Sequence, residues 1–123
     1  MSFTVENKEK YSIVYTKVDK LNASNANELK SELLLLNKNS VNNVVIDLSA
    51  TKYCDSSGLS AILNGNRWCK DTNGTFVLAG LTPAVEKMIK IAQLDRVLNI
   101  VPTKEEAEDF IFMEEVEREF TKE

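Results

Sequence analysis

Val44-Val45-Ile46-Asp47-Leu48 is a near-continuous apolar run in the middle of the chain. Such a run is typical of a central strand that is buried on both faces of a sheet. A second run, Thr75-Phe76-Val77-Leu78-Ala79, follows a segment at about 57–71 in which apolar residues recur at helical spacing. A strand, a helix and a second strand in this order predict a parallel β-α-β unit at the centre of an α/β domain.

The residues before this unit predict a hairpin and a helix. Residues 3–5 and 11–18 have the alternation of strands, and the polar residues 7–10 between them suit a turn. A helix is predicted to follow from Asn25, which forms a capping-box variant with Glu28. The hairpin makes the opening of the sheet antiparallel, whereas the later crossovers make it parallel.

The residues after the unit predict a helix, a strand and a final helix. Thr82 is a suitable N-cap, and Pro83 follows at the first helical position, where its missing N–H costs nothing. Residues 97–101 predict the last strand, and Thr103 and Glu106 form a capping box for the last helix. We therefore expect a mixed sheet of about five strands with about four helices, mainly on one face. We expect the domain to occupy residues 1–113, followed by an acidic helix end or tail at 114–123.

The composition limits the chemistry that the chain can perform. A length of 123 residues fits one domain. The sequence has no histidine, which removes histidine general bases, the Ser-His-Asp triad and histidine metal ligands. Cys54 and Cys69 are too few for a disulfide framework or a four-cysteine zinc site. We therefore expect no catalytic residue, no metal and no cofactor.

The net charge and hydropathy of the chain limit the kinds of partner that it can bind. The formal net charge is −4 and the sequence has no dense run of Lys or Arg, which does not suit nucleic-acid binding. The longest aliphatic run, Leu33-Leu34-Leu35-Leu36, is far too short to cross a bilayer, and the N-terminus lacks an apolar stretch of signal-peptide length. We therefore expect a cytoplasmic protein that is not inserted in a membrane and does not bind nucleic acid directly.

The segment Asp55-Ser56-Ser57-Gly58 lies where the central strand leads into the next helix. In an open α/β sheet, ligands and modifications lie beyond the carboxyl ends of the strands. Taken by itself, the segment can be only a capped helix start, since Ser and Asp are preferred N-caps. One helix start needs only one capping side chain, so one of the two adjacent serines could cap the helix while the other presents its hydroxyl. A glycine at position 58 would let the backbone come close to a bound group.

Three segments carry a resemblance to the STAS domain of anti-sigma factor antagonists. They are Val44-Val45-Ile46-Asp47-Leu48-Ser49, Asp55-Ser56-Ser57-Gly58-Leu59 and Leu81-Thr82-Pro83-Ala84-Val85. The resemblance extends from about Phe3 to Phe112, which is nearly the whole chain. It implies partner switching in response to phosphorylation of the first serine of the motif, which is Ser56 here. With Ser56 as the acceptor, Ser57 is expected to be the helix cap.

The same resemblance implies the partners and the surface that binds them. The unphosphorylated protein would bind an anti-sigma factor that is also a serine kinase, the phosphorylated protein would be released, and a serine phosphatase would restore it. The helix predicted at about 57–71 would supply contacts if its polar residues face outward, whereas Trp68 is expected to lie partly in the core. The residues expected to contact the partner are Asn22, Asp55, Ser56, Ser57, Gly58, Leu59, Asn64 and Arg67.

Two positions depart from the family pattern. In the family, the loop before the first predicted helix usually carries an Asp after a Leu, but here the pair is Leu21-Asn22. Asn keeps the shape and hydrogen bonding of Asp without its charge, which can change recognition by the kinase. Cys54 takes the place of a usual apolar residue, and we interpret it as a small buried thiol rather than a redox group.

Three alternatives remain open. The same fold could serve as a STAS subunit of a membrane transport or signalling complex without a phospho-switch. A response-regulator receiver is of similar length, but it needs an acidic pair after its first strand, where this chain has Glu6-Asn7-Lys8. An enzyme using Ser56 or Cys54 as nucleophile would need an adjacent base, and only Lys52 and Asp55 are near in sequence.

Overall fold

The structure, a computed structural model, describes residues 2–121. The strands are β1 (Phe3–Asn7), β2 (Ser12–Thr16), β3 (Lys20–Leu21), β4 (Val44–Asp47), β5 (Tyr53–Cys54), β6 (Phe76–Ala79) and β7 (Asn99–Val101). The helices are α1 (Ala26–Lys38), α2 (Ser56–Asp71), α3 (Pro83–Ile91) and α4 (Lys104–Thr121).

The main sheet is mixed and has five strands in the order β1-β2-β4-β6-β7. β1 and β2 form an antiparallel hairpin, and each later neighbour is parallel. A second sheet pairs the two-residue strands β3 and β5 in parallel.

The main sheet is buried on both faces, as the run at Val44 predicts. Successive side chains of β4 point to opposite faces, so Ile46 packs beneath α1, α2 and α3 while Val45 packs beneath α4. Both side chains have no exposed area. The prediction of an α/β fold with about five strands and four helices is confirmed, with three helices on one face and α4 alone on the other.

The predictions for the cap of α1 and for the length of the last strand were wrong, and one element was not predicted. Asn25 precedes α1 but does not cap it with its side chain. Its carboxamide instead accepts the Asn22 N–H and donates to the Lys20 carbonyl, so the predicted capping box with Glu28 does not form. The last strand is only Asn99–Val101, because the chain before it forms a 3-10 turn at Leu94–Arg96. The small sheet of β3 and β5 was missed, since two-residue strands have no periodicity.

The final helix continues without a break to Thr121. Its Arg118 guanidinium donates to the Thr75 hydroxyl at 3.1 Å and pairs with Glu115 at 2.8 Å, which ties the last turns of α4 to the end of the sheet. The boundary at residue 113 stays a prediction, and the last two residues of the predicted tail, 122–123, lie outside the described residues. Over residues 2–121, no helix combines the length and apolar character needed to cross a membrane.

Candidate functional site

The small sheet of β3 and β5 fixes the start of α2. Leu21 pairs with Cys54, and the Asp55 N–H donates to the Leu21 carbonyl at 3.1 Å. The Lys52 N–H donates to the Asp19 carbonyl at 2.8 Å on the same side. These bonds hold the loop before α1 against the loop before α2, so Asn22 and the serine motif lie at the same end of the molecule.

The helix cap is Asp55. Its Oδ1 accepts the backbone N–H of Ser57 at 2.8 Å and that of Gly58 at 3.1 Å. The prediction that Ser57 caps the helix is therefore wrong. A carboxylate at this position satisfies two free N–H groups and also interacts favourably with the positive end of the helix dipole. Asp55 thereby leaves both serine hydroxyls free of the capping role.

Ser56 is the first residue of α2 and is exposed, whereas Ser57 is half-buried. Over residues 2–121, the Ser56 hydroxyl makes no hydrogen bond, so it is open to a modifying enzyme. Ser56 lies on the rim of an open polar groove of about 410 Å³ between α1 and α2. The groove is lined by Ala23, Ala26, Asn27, Lys30, Ser56, Ser57, Ser60 and Ala61.

Ser60 and two of the residues predicted to contact a partner share a helix face with Ser56. Spacings of four, four and three residues place these side chains on one side of α2, in the order Ser56, Ser60, Asn64 and Arg67. The Arg67 guanidinium donates to the Asn64 carboxamide at 2.7 Å, so these two side chains form one polar unit about two to three turns from Ser56. The result is a polar stripe of Ser56, Ser60, Asn64 and Arg67 along α2.

Gly58 and Leu59 are buried. A Cβ atom on Gly58 would lie 2.7 Å from the Cys54 sulfur and 2.8 Å from the Leu21 carbonyl oxygen. The glycine is therefore needed so that α2 can pack closely on the small sheet. This role differs from the close approach to a bound group that the sequence suggested.

Cys54 is fully buried beside the motif. Its removal from water raises the pKa of the thiol to about 12, and the neighbouring Asp55 carboxylate adds to this increase. A thiol with that pKa stays protonated at neutral pH, and a protonated thiol is a poor nucleophile. The burial agrees with the interpretation of Cys54 as a small apolar residue.

Asn22 shapes the loop that faces the motif. Its Oδ1 accepts the Ser24 N–H at 3.0 Å and the Ser24 hydroxyl at 2.7 Å, which forms a turn before α1. An Asp carboxylate could accept the same two bonds. The presence of Asn instead of the usual Asp at position 22 therefore changes the charge of the surface and leaves the geometry of the loop as it is.

The residues on the α1 side of the groove are not among the site residues predicted from the sequence. Asn27 and Lys30 line it, yet both are exposed polar residues on a helix with many such positions. The sequence shows which face of α1 is buried, through Ala26, Leu29 and Leu33. It does not show how α1 lies against α2, which determines the residues that meet Ser56.

Comparisons with known proteins identify the family of the chain. The sequence profile of the STAS domain matches residues 4–107. A candidate anti-sigma factor antagonist from Thermotoga maritima superposes with a TM-score of 0.79 at 25% identity, covering 89% of this chain and 93% of that one. An anti-sigma factor antagonist from Mycobacterium paratuberculosis gives a TM-score of 0.80 at 24% identity, covering 89% and 92%.

SpoIIAA, an anti-sigma factor antagonist, gives a TM-score of 0.70 at 17% identity and covers 89% of this chain and 96% of that one. The Bacillus protein has also been solved in its phosphorylated form. At this identity the likeness concerns the fold alone. The profile match covers most of the chain, and the fold agrees with it, so the chain belongs to the STAS domain family.

Proposed function

We propose that this protein is an anti-sigma factor antagonist that works by partner switching. In its unphosphorylated form it binds an anti-sigma factor with serine kinase activity, through the polar stripe of α2 and the adjoining groove. Phosphorylation of Ser56 releases that partner, and a serine phosphatase restores binding. The protein acts in the cytoplasm and has no catalytic activity of its own.

The observation that carries this proposal is the division of roles at the start of α2. Asp55 caps the helix through two hydrogen bonds, and Ser56 at the next position is exposed and makes none within residues 2–121. A kinase can therefore modify Ser56 without breaking the cap. Relatives of the same fold are named as anti-sigma factor antagonists, and one of them exists in a phosphorylated form.

A phosphate on Ser56 would change the interface more than the fold. It would add a charge of about −1.5 to −2 at neutral pH, at a helix N-terminus where the dipole tolerates negative charge. Lys30 lines the same groove and offers a positive group on the α1 side. Next to Asp55 the phosphate would make the rim strongly negative, and it would repel a partner that presents acidic or apolar groups there.

The proposal is tested by kinase assay and binding. The protein is incubated with ATP and the anti-sigma factor kinase of the source organism, and the modified residue is mapped by mass spectrometry. We expect modification at Ser56, none in Ser56→Ala, and normal modification in Ser60→Ala, which removes an exposed hydroxyl from the same stripe. Modification only at Ser57, or none, would contradict the proposal.

Binding to the same partner provides the second measurement. Protein made with phosphoserine at position 56 should bind the anti-sigma factor at least about tenfold more weakly than Ser56→Ala, since a buried like charge at an interface costs over about 1.4 kcal/mol. Equal affinities would show that Ser56 is not the switch. The phosphorylated residue itself is used because a carboxylate side chain carries less charge than a phosphate and mimics it imperfectly.

A further inference from the structure

The outer face of α4 carries a strip of apolar side chains. Phe112, Val116 and Phe120 are four residues apart, so they follow one another along the helix, and Met113 lies next to them. Phe112 is 66% exposed, Met113 56% and Phe120 75%, and Val116 is half-buried. Contiguous exposed apolar surface of this kind marks interaction sites. The family profile ends at residue 107, so this α4 strip lies outside the matched residues.

A groove of about 300 Å³ runs beside the α4 strip, between α4 and the chain that enters β2. Ile111 and Tyr11, which are both buried, form its base, and Phe112 and Val116 line the side that continues into the strip. The Tyr11 hydroxyl donates to the Glu108 carboxylate, which holds that carboxylate in the groove. The lining is completed by Lys10, Glu108, Glu115 and Glu119.

The charge around this groove is strongly negative. Between Lys104 and Thr121, α4 has eight acidic and two basic side chains. Both basic groups already have partners, since Lys104 donates to the Tyr15 hydroxyl at 3.3 Å and Arg118 pairs with Glu115. A second copy of this helix, or an anionic membrane, would be repelled by these carboxylates. The occupant that fits is apolar on one face and positively charged around it.

We propose that the groove and the α4 strip bind a cationic amphipathic helical segment of a partner protein. Its apolar side chains would contact the groove base and the strip, and its Lys or Arg groups would pair with the surrounding carboxylates, as in other helix-in-groove complexes. α4 packs on the opposite face of the main sheet from α1 and α2. The groove and the α4 strip are therefore separate from the polar stripe of α2, and both surfaces can be occupied at the same time.

A synthetic helical peptide tests this proposal with the full chain. The probe is an 18-residue peptide of leucine and lysine with leucines at helical spacing. The comparison peptides are a scrambled sequence of the same composition and a leucine–glutamate peptide of the same pattern. We expect the cationic amphipathic peptide to shift amide NMR signals of α4 and of Lys10 and Tyr11. It should bind at least tenfold more tightly than the scrambled peptide, and the acidic peptide should not bind.

Matched variants test whether the peptide binds to the α4 strip or to another surface. Phe112→Ser should weaken binding of the amphipathic peptide at least tenfold, whereas Leu35→Ser, a similarly exposed apolar position on α1, should leave it unchanged. Ser56→Asp should also leave it unchanged, since Ser56 lies on the other face. Equal binding of the scrambled peptide, unchanged affinity in Phe112→Ser, or signal shifts confined to α2 would overturn the proposal. Sedimentation showing a dimer that Phe112→Ser dissociates would overturn it as well, because the occupant would then be a second copy.

Discussion

The Asp55 carboxylate accepts the backbone N–H of Ser57 at 2.8 Å and thereby takes the capping role that a serine would otherwise have. The same oxygen accepts the Gly58 N–H. Helix stability at this end therefore depends on Asp55, whereas the chemistry that we propose depends on Ser56. A substitution at one position should leave the property of the other largely intact.

Asp55→Ala should lower the free energy of unfolding by about 0.5–2 kcal/mol, because two helix N–H groups lose their acceptor and the favourable dipole interaction is lost. Asp55→Asn is the matched control, since Asn caps nearly as well, and it should stay closer to the wild type. Urea unfolding followed by circular dichroism measures both. An Asp55→Ala protein as stable as the wild type would show that the cap contributes nothing.

Gly58→Ala should be more disruptive than an ordinary glycine-to-alanine change in a helix. The added methyl group would lie within 2.8 Å of the Leu21 carbonyl oxygen, which is backbone and has little room to move. We expect a loss of about 1–3 kcal/mol, as in other overpacked sites. Ser60→Ala, on the exposed face of the same helix, should change stability by less than about 0.5 kcal/mol. If Gly58→Ala is as stable as Ser60→Ala, the close packing on the small sheet is not needed.

The buried thiols should make stability fall at alkaline pH. Burial raises the pKa of both Cys54 and Cys69 to about 12, whereas an unfolded cysteine ionises near a pKa of about 8.5. Since the folded pKa is the higher one, the stabilising contribution is complete below the unfolded pKa and is lost as pH rises from there toward 12. Urea midpoints measured from about pH 7 to pH 10 should therefore decline above about pH 8.5.

The two cysteines also provide an independent chemical readout. In the native protein, both thiols should react slowly with a thiol reagent at about pH 8 and rapidly once urea unfolds the chain, because the thiolate is the reactive form. The Cys54→Ala, Cys69→Ala double variant should show a shallower decline of stability with pH. Fast labelling of the native protein, or an unchanged pH slope in the double variant, would contradict the burial of these thiols.

The predictable and unpredictable parts of this molecule differ in physical origin. Val45 and Ile46 belong to a long apolar run, and the pattern alone was enough to predict a strand buried on both faces. The pairing of Leu21 with Cys54 involves two-residue strands whose formation depends on tertiary contacts, and no periodicity signals them. For the same reason the sequence predicts Ser56 as a site residue but does not show that Lys30 lies beside it, since only the packing of α1 against α2 brings them to one groove.

The hydrogen bonds of Asn22 and the charge at position 22 can be tested separately. Asn22→Ala removes the acceptor for the Ser24 N–H and the Ser24 hydroxyl, so it should destabilise the protein by roughly 1–2 kcal/mol. Asn22→Asp keeps both bonds and should stay within about 0.5 kcal/mol of the wild type. Urea unfolding distinguishes the two variants.

Binding to the anti-sigma factor measures the effect of the charge at position 22. Asn22 precedes α1 at the end of the molecule where Leu21 is bonded to Asp55, so a carboxylate at position 22 makes the surface near Ser56 more negative. Like phosphorylation of Ser56, this substitution adds negative charge. We therefore expect Asn22→Asp to bind the anti-sigma factor several-fold more weakly at low salt, with the difference shrinking as salt screens the charge. A variant that binds more tightly would show that the partner presents a basic group to this loop, and that the charge at position 22 acts as an attractive contact.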